Sequence, residues 1–204
     1  PKKHLKKQGT PTMGGLFTIP SGILVIILMN INSQINKEVI AISFITLSYM
    51  LIGVMDDWSS LKNKTNEGLK PFQKIIMQVL IGIIFLIYSG SNNLITSEVF
   101  LWKDTVLDIG IFIWPLALFV LLAESNAVNL SDGLDGLAGG CSAIIFFGLA
   151  IQLFFRGNSA DIAIANICMA MSGTWLGFLI YNKKQASIFM GDTGSLAIGA
   201  SLGG

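Results

Sequence analysis

Apolar residues occupy seven long blocks of this chain, and short polar segments separate the blocks. The blocks are Leu16–Ile31, Val39–Met55, Ile75–Gly90, Ile109–Ala123, Leu137–Phe155, Ile162–Tyr181 and a shorter one from Ser195 to the end. A helix needs about 20 residues to cross a bilayer, or about 17 when its flanking residues reach back to the interface. The pattern predicts an all-α fold, a polytopic helical membrane protein with about seven transmembrane helices, forming a single transmembrane domain over residues 1–204.

Composition supports a membrane protein and argues against other classes. Hydrophobic residues make up 52% of the chain and charged residues 12%, whereas about 25% of residues are charged in an ordinary soluble domain. We expect no separate soluble domain. The net charge of +1 gives no indication of nucleic-acid binding. Cys141 and Cys168 lie inside apolar blocks, away from any disulfide or metal-binding spacing, and we interpret both as buried core residues.

The Lys and Arg residues indicate the orientation in the membrane. If every block crosses the bilayer, segments 1–15, 56–74, 124–136 and 182–194 lie on one side, and 32–38, 91–108 and 156–161 lie on the other. The first group carries ten of the thirteen Lys and Arg residues, and the second carries three. Because positive charge concentrates in cytoplasmic loops, we expect the first group to form the cytoplasmic face.

Five carboxylates fall on this predicted cytoplasmic face, at the ends of apolar blocks. They are Asp56, Asp57, Asp132, Asp135 and Asp192. An ionised Asp at the centre of a membrane helix costs about 2.5 to 3.5 kcal/mol on insertion scales, so carboxylates near the hydrocarbon need a partner. No nearby excess of Arg is available to neutralise them. Mg²⁺ would do so, and because it takes its remaining ligands from water and phosphates, it points to a phosphorylated substrate.

Two classes of protein fit this pattern. One is an enzyme that transfers a phosphorylated group to or from a lipid at the membrane surface. The other is a cation-coupled transporter with acidic residues along its pathway. Transporter carboxylates belong near the bilayer midplane, whereas these lie at the ends of spans or in loops. Their position favours the enzyme.

Four motifs, taken in order, resemble a known family. They are "KKQGTPTMGG", the "DD" of Asp56 and Asp57, "NAVNLSDGLDGLAGG" and "FMGDTGSLAIG". Together they resemble the phospho-N-acetylmuramoyl-pentapeptide transferases, a branch of the polyprenyl-phosphate N-acetylhexosamine-1-phosphate transferase superfamily. The resemblance implies a ten-helix fold, of which one helix would precede Pro1 and two would follow Gly204. It also implies a downstream histidine-rich loop, for which His4 is no equivalent.

The resemblance implies a reaction and its partners. UDP-MurNAc-pentapeptide and undecaprenyl phosphate would give lipid I and UMP with Mg²⁺ as cofactor, in the first membrane step of peptidoglycan synthesis. The enzyme would be a multi-pass protein of the bacterial plasma membrane with its active site toward the cytoplasm. The alternative within the superfamily is transfer of GlcNAc-1-phosphate from UDP-GlcNAc to the same lipid. The sequence leaves the oligomeric state open, with a homodimer as one option.

The resemblance also implies site residues. Asp192 would be the metal ligand, and Asp56 or Asp57 would lie beside the reacting phosphate, with Asp56 preferred as the base. Lys7 would join these three among the catalytic residues. The substrate-binding residues would be Thr12, Lys74, Asn129, Asp132, Asp135, Asn182 and Phe189, with Phe189 stacking on the uracil base.

Overall fold

A computed structural model describes residues 9–29, 36–63, 68–101 and 105–204 of the chain. This part of the chain contains seven α-helices, one for each apolar block, as the sequence predicts. They are α1 (Gly15–Met29), α2 (Lys37–Asn63), α3 (Pro71–Ser91), α4 (Ile113–Ser131), α5 (Leu137–Arg156), α6 (Ser159–Asn182) and α7 (Gly191–Gly203). Lys7 lies outside the described residues.

The helices differ in whether they can cross a bilayer. Helices α2 to α6 are long and apolar enough to do so by length and composition, and α4 reaches this length together with the 3-10 turn Gly110–Phe112 that precedes it. Helix α1 is apolar but has 15 residues, and α7 has 13. The prediction of a polytopic helical membrane protein is confirmed. Of the seven predicted spans, five meet the length of a full crossing within the described residues.

A short antiparallel hairpin interrupts the all-α pattern between α3 and α4. Strand β1 (Glu98–Phe100) pairs with β2 (Val106–Asp108), with Val99 opposite Leu107. Three residues are too few to show the two-residue alternation by which a strand is recognised in sequence. The sequence pattern therefore predicts only a loop in this segment and no strands.

Helix ends coincide with residues that start or stop helices. Gly157, in the left-handed region at φ 74°, ends α5, a conformation that costs glycine little. The next residue, Asn158, caps α6, because its Oδ1 accepts a hydrogen bond from the amide of Asp161 at 2.8 Å. Pro71 is the first residue of α3, where a missing N–H costs nothing.

Helix α7 is the central helix of the bundle. Every residue from Thr193 to Ser201 is buried. Small residues permit this: a side chain at Gly15 or Gly53 would overlap the backbone of the first turn of α7, and one at Gly199 would overlap the backbone of α4. Close approach through small residues is how membrane helices pack. The first turn of α7 is therefore held between α1 and α2.

Cysteine burial differs in part from the expectation. Cys168 is buried, as predicted, whereas Cys141 is exposed on α5. An apolar block in a membrane helix has a lipid-facing side, so membership of a block does not establish burial in the bundle.

Candidate active site

Four helices each contribute one polar side chain to a cleft at one end of the bundle. Asp56 comes from α2, Lys74 from α3, Asn129 from α4 and Asp192 from α7. The cleft has a volume of about 510 Å³, and the segment Gly68–Pro71 supplies the rest of its lining. Its size falls within the range of small-molecule sites in proteins. These four residues, all predicted from the sequence, are brought together by the fold.

Lys74 lies between two of the cleft carboxylates. Its Nζ is 2.5 Å from Oδ2 of Asp192 and 3.1 Å from Oδ1 of Asp56. The amide of Leu69 also donates to Oδ1 of Asp56, at 3.0 Å. Asp56 is 8% exposed, so its charge depends on these partners rather than on water.

Asp56, Asp57 and Asp192 form a carboxylate cluster, in which one oxygen from each lies within 4.8 Å of the others. Lys74 pairs with two of these groups, Asp56 and Asp192, so the cluster holds more carboxylates than ammonium groups paired with them among the described residues. Mg²⁺ prefers carboxylate oxygens as its protein ligands. The residues present therefore fit a divalent cation, and Asp192 is the member of the cluster proposed to hold it.

Asp57 caps the N-terminus of α7. Its Oδ1 accepts the amide of Asp192 at 3.1 Å, and its Oδ2 accepts the amide and the hydroxyl of Thr193 at 3.0 and 2.6 Å. A carboxylate at this end satisfies amides that have no partner within the helix and interacts favourably with the helix dipole. The capping bonds fix the backbone that carries the Asp192 side chain.

The segment before α1 is hydrogen-bonded to the loop before α7. The amide of Phe189 donates to Pro11 O at 2.8 Å, and the amide of Gly14 donates back to Phe189 O at 2.9 Å. This pairing brings the "GTPTMGG" motif beside "FMGD". Thr12 lies next to Gly191, since a side chain at Gly191 would have come within 3.0 Å of Thr12 Oγ1.

Asn182 is buried and bridges two loops. Its Oδ1 accepts the amide of Gly136 at 3.0 Å, and its Nδ2 donates to Ile188 O at 2.8 Å. Both ends of this amide are therefore used to join the α4–α5 loop to the loop before α7. Binding of a substrate by Asn182 remains a prediction.

The other predicted binding residues lie in the same two loops. Asp132 ends α4, and Oδ2 of Asp135 accepts the amide of Ala186 at 3.4 Å. Phe189 is partly buried in the backbone pairing described above. Their roles in substrate binding remain predictions, as does the catalytic role of Lys7, which lies outside the described residues.

Sequence reasoning missed the polar residues directly beneath the cleft. Gln78 lies one turn after Lys74 on α3, and Asn126 lies one turn before Asn129 on α4. Nδ2 of Asn126 donates to Oε1 of Gln78 at 2.8 Å. The signal available in the sequence was helical spacing from a predicted site residue. Gln78 is four positions from Lys74, and Asn126 is three positions from Asn129, so each lies on the same helix face as its predicted neighbour.

The fold and the site define a class: a polytopic helical membrane protein with an acidic, lysine-containing cleft at one end of its bundle. The chain belongs to glycosyl transferase family 4, whose model matches residues 39–204. Residues 7–18 match signature 1 of the phospho-N-acetylmuramoyl-pentapeptide-transferases, so the resemblance inferred from the motifs is confirmed.

Curated relatives agree with this family. The chain is 51% identical, over its whole length, to the phospho-N-acetylmuramoyl-pentapeptide-transferase of a Prochlorococcus marinus strain, of which it covers 55%. It is 52% identical to the enzyme of the same name from a Synechococcus strain, with 99% of this chain and 55% of the relative aligned. The chain thus spans about half the length of the curated relatives it matches.

Proposed function

We propose that the protein transfers phospho-MurNAc-pentapeptide from UDP-MurNAc-pentapeptide to undecaprenyl phosphate, giving lipid I and UMP. The observation that carries this proposal is the convergence of Asp56, Asp192 and Lys74 at the end of an apolar helix bundle. A lipid phosphate anchored in the bilayer and a soluble nucleotide can meet only at such an end. The names of the curated relatives support the identity of the transferred group.

The reaction joins two anions. An oxygen of the lipid phosphate attacks the phosphorus that bears the sugar, the P–O bond to the uridine monophosphate breaks, and its electron pair leaves with UMP. Lys74 offers a positive charge to the phosphate oxygens, which reduces the repulsion between the substrates and stabilises the charge of the transition state. In the resting site this lysine is paired with Asp56 and Asp192, so a phosphate would compete with the carboxylates for it.

Asp56 is the proposed base, and Asp57 the residue that holds α7 in place. Asp56 borders the cleft, whereas both oxygens of Asp57 accept hydrogen bonds from Asp192 and Thr193. The second pKa of a phosphate monoester is about 6, so much of the lipid phosphate is already deprotonated at neutral pH and little work is left for a base. Asp56 would mainly hold and orient the proton of the monoanion.

Asp192 is the proposed holder of Mg²⁺. When bound, the ion would supply positive charge to the diphosphate of the nucleotide. The proposal rests on the cluster of the three carboxylates Asp56, Asp57 and Asp192. The lysine distribution supports a cytoplasmic orientation of this end of the bundle. The cleft residues come from segments 56–74, 124–136 and 182–194, which belong to the group that carries ten of the thirteen Lys and Arg residues.

Release of UMP tests the function. The complete natural protein, purified in detergent, is incubated with undecaprenyl phosphate, Mg²⁺ and either UDP-MurNAc-pentapeptide or UDP-GlcNAc. We expect UMP and lipid I with the first nucleotide and no product with the second. Lipid-linked GlcNAc without lipid I would support the alternative transferase. A cation-coupled transporter would release no UMP from either nucleotide in detergent, where no sealed compartment exists.

A further inference from the structure

The hydrogen bond between Gln78 and Asn126 joins two walls of the cleft. Gln78 is on the α3 face that carries Lys74, and Asn126 is on the α4 face that carries Asn129. Neither residue lines the cavity itself. Any effect of this pair on the chemistry must therefore pass through the residues above it.

The same layer is connected to the other two helices of the cleft. The hydroxyl of Tyr49 on α2 donates to the backbone oxygen of Gln78 at 2.9 Å. The hydroxyl of Ser125, the residue before Asn126, donates to Leu196 O of α7 at 3.2 Å. All four helices that supply a cleft residue are thus bonded together one to two turns below it.

Stability alone does not explain an amide at position 78. Gln78 is 0% exposed, and its Nε2 has no hydrogen-bond partner within the part of the chain that the structure describes. Leaving a buried donor unpaired costs more than one neutral hydrogen bond contributes, and two apolar groups of the same shape can replace a polar pair without loss. An apolar pair here would give a protein at least as stable.

We infer that Gln78 and Asn126 are positioning residues, whose amide–amide hydrogen bond sets the separation of Lys74 and Asn129 across the cleft. This inference rests on the proposed function, in which Lys74 contacts the reacting phosphates. Misplacement of a reacting group by about 1 Å can lower a rate by about 100-fold. The pair therefore acts on the rate of the transfer step rather than on folding.

The test uses two double variants of the complete protein. Gln78→Met with Asn126→Leu removes both amides and keeps side chains of similar shape. Gln78→Asn with Asn126→Gln keeps two amides and the summed length of the side chains. We expect the apolar pair to melt at the same or a higher temperature while its kcat for UMP release falls at least about tenfold. The exchanged pair should recover kcat to within about threefold of the unaltered protein.

Each other result counts against the inference. A folded apolar pair with unaltered kcat would show that the amides do not affect the transfer step. An exchanged pair as slow as the apolar pair would show that the amide–amide bond is not what matters. Failure of the apolar pair to fold would assign these residues to stability instead. The unaltered protein is assayed alongside, and if it released no UMP the proposed function itself would fail.

Discussion

The carboxylate of Asp57 accepts hydrogen bonds from both the backbone amide and the hydroxyl of Thr193, at 3.0 and 2.6 Å, although 136 positions separate the two residues. A third donor, the amide of Asp192, reaches the other oxygen of Asp57 at 3.1 Å. Asp57 therefore caps a helix from a different part of the chain. The helix it caps carries the side chain proposed to hold the metal.

Replacement of Asp57 by Ala should destabilise the protein. An ordinary N-cap substitution costs about 0.5 to 2 kcal/mol, and here three donors lose a charged acceptor, so we expect about 2 kcal/mol or more. In chains of about 150 to 250 residues, each kcal/mol lost lowers the melting temperature by about 2 to 4 °C. Thermal unfolding in detergent measures this, and UMP release should fall as well because the Asp192 backbone is no longer held.

Two further variants at the cap separate its parts. Thr193→Val removes only the hydroxyl donor, so its loss of stability should be smaller than that of Asp57→Ala. Asp57→Asn keeps an acceptor oxygen and should fall between them. A melting temperature of Asp57→Ala equal to that of the unaltered protein, together with lost activity, would favour direct participation of Asp57 in the reaction.

Adjacent residues in sequence thus have different environments in the fold. The pair Asp56 and Asp57 reads as one acidic motif, but successive side chains on a helix point about 100° apart. Asp56 turns toward Lys74 on α3, while Asp57 turns toward the first turn of α7. The division of work between them follows from helix geometry, yet its assignment requires knowing which helix packs on which side.

Asp192→Asn should abolish turnover while the protein still folds. The amide has the shape of the carboxylate but lacks the charge that pairs with Lys74 and that a divalent cation needs, so we expect UMP release to fall at least about 100-fold. Asp108→Asn, an exposed carboxylate on β2, is the matched control and should keep full activity. Near-normal activity of Asp192→Asn would remove Asp192 as the metal ligand.

Lys74→Met should separate metal binding from substrate binding. Without its ammonium, Asp56 and Asp192 repel one another, so added Mg²⁺ should raise the melting temperature more than it does in the unaltered protein. UMP release should nevertheless fall at least about tenfold, because the phosphates lose their cation. Lys62→Met, an exposed lysine at the end of α2, is the control for charge alone. A smaller Mg²⁺ effect in Lys74→Met than in the control would contradict this account.

The sequence predicted the helices and four of the eight residues that line the cleft, because both depend on local signals. Apolar blocks locate helices without tertiary information, and parity placed Asp56, Lys74, Asn129 and Asp192 on one face. The sequence did not predict the hydrogen-bond partners of each polar group. Substrate binding by Asn182 remains a prediction; the structure adds that its amide joins Gly136 to Ile188, a pairing that depends on how two loops pack.

Asn182→Asp tests whether the bridging amide matters. The oxygen that accepts from Gly136 is kept, but the donor to Ile188 O becomes an oxygen, so two buried acceptors face one another. Leaving a buried polar group unpaired costs about 1 to 3 kcal/mol, and the melting temperature should fall accordingly. A variant that melts normally and only raises the KM for the nucleotide would instead place Asn182 in the binding site.

Gly53→Ala should disturb the site through packing alone. A methyl group at position 53 would overlap the carbonyl of Asp192 and the amide of Thr193, which are backbone atoms that cannot swing aside. Overpacking of this kind costs about 1 to 3 kcal/mol, and it exceeds the gain of up to about 1 kcal/mol that Ala contributes in a helix. Gly148→Ala on α5 is the control, because apart from the adjacent residues and backbone of its own helix no described atom lies within 4 Å of the added methyl. We expect Gly148→Ala to melt at the same or a higher temperature with full UMP release, and Gly53→Ala to melt lower and release less. Equal behaviour of the two variants would mean that α2 and the first turn of α7 are not in close contact, and that Asp57 could not reach its three donors.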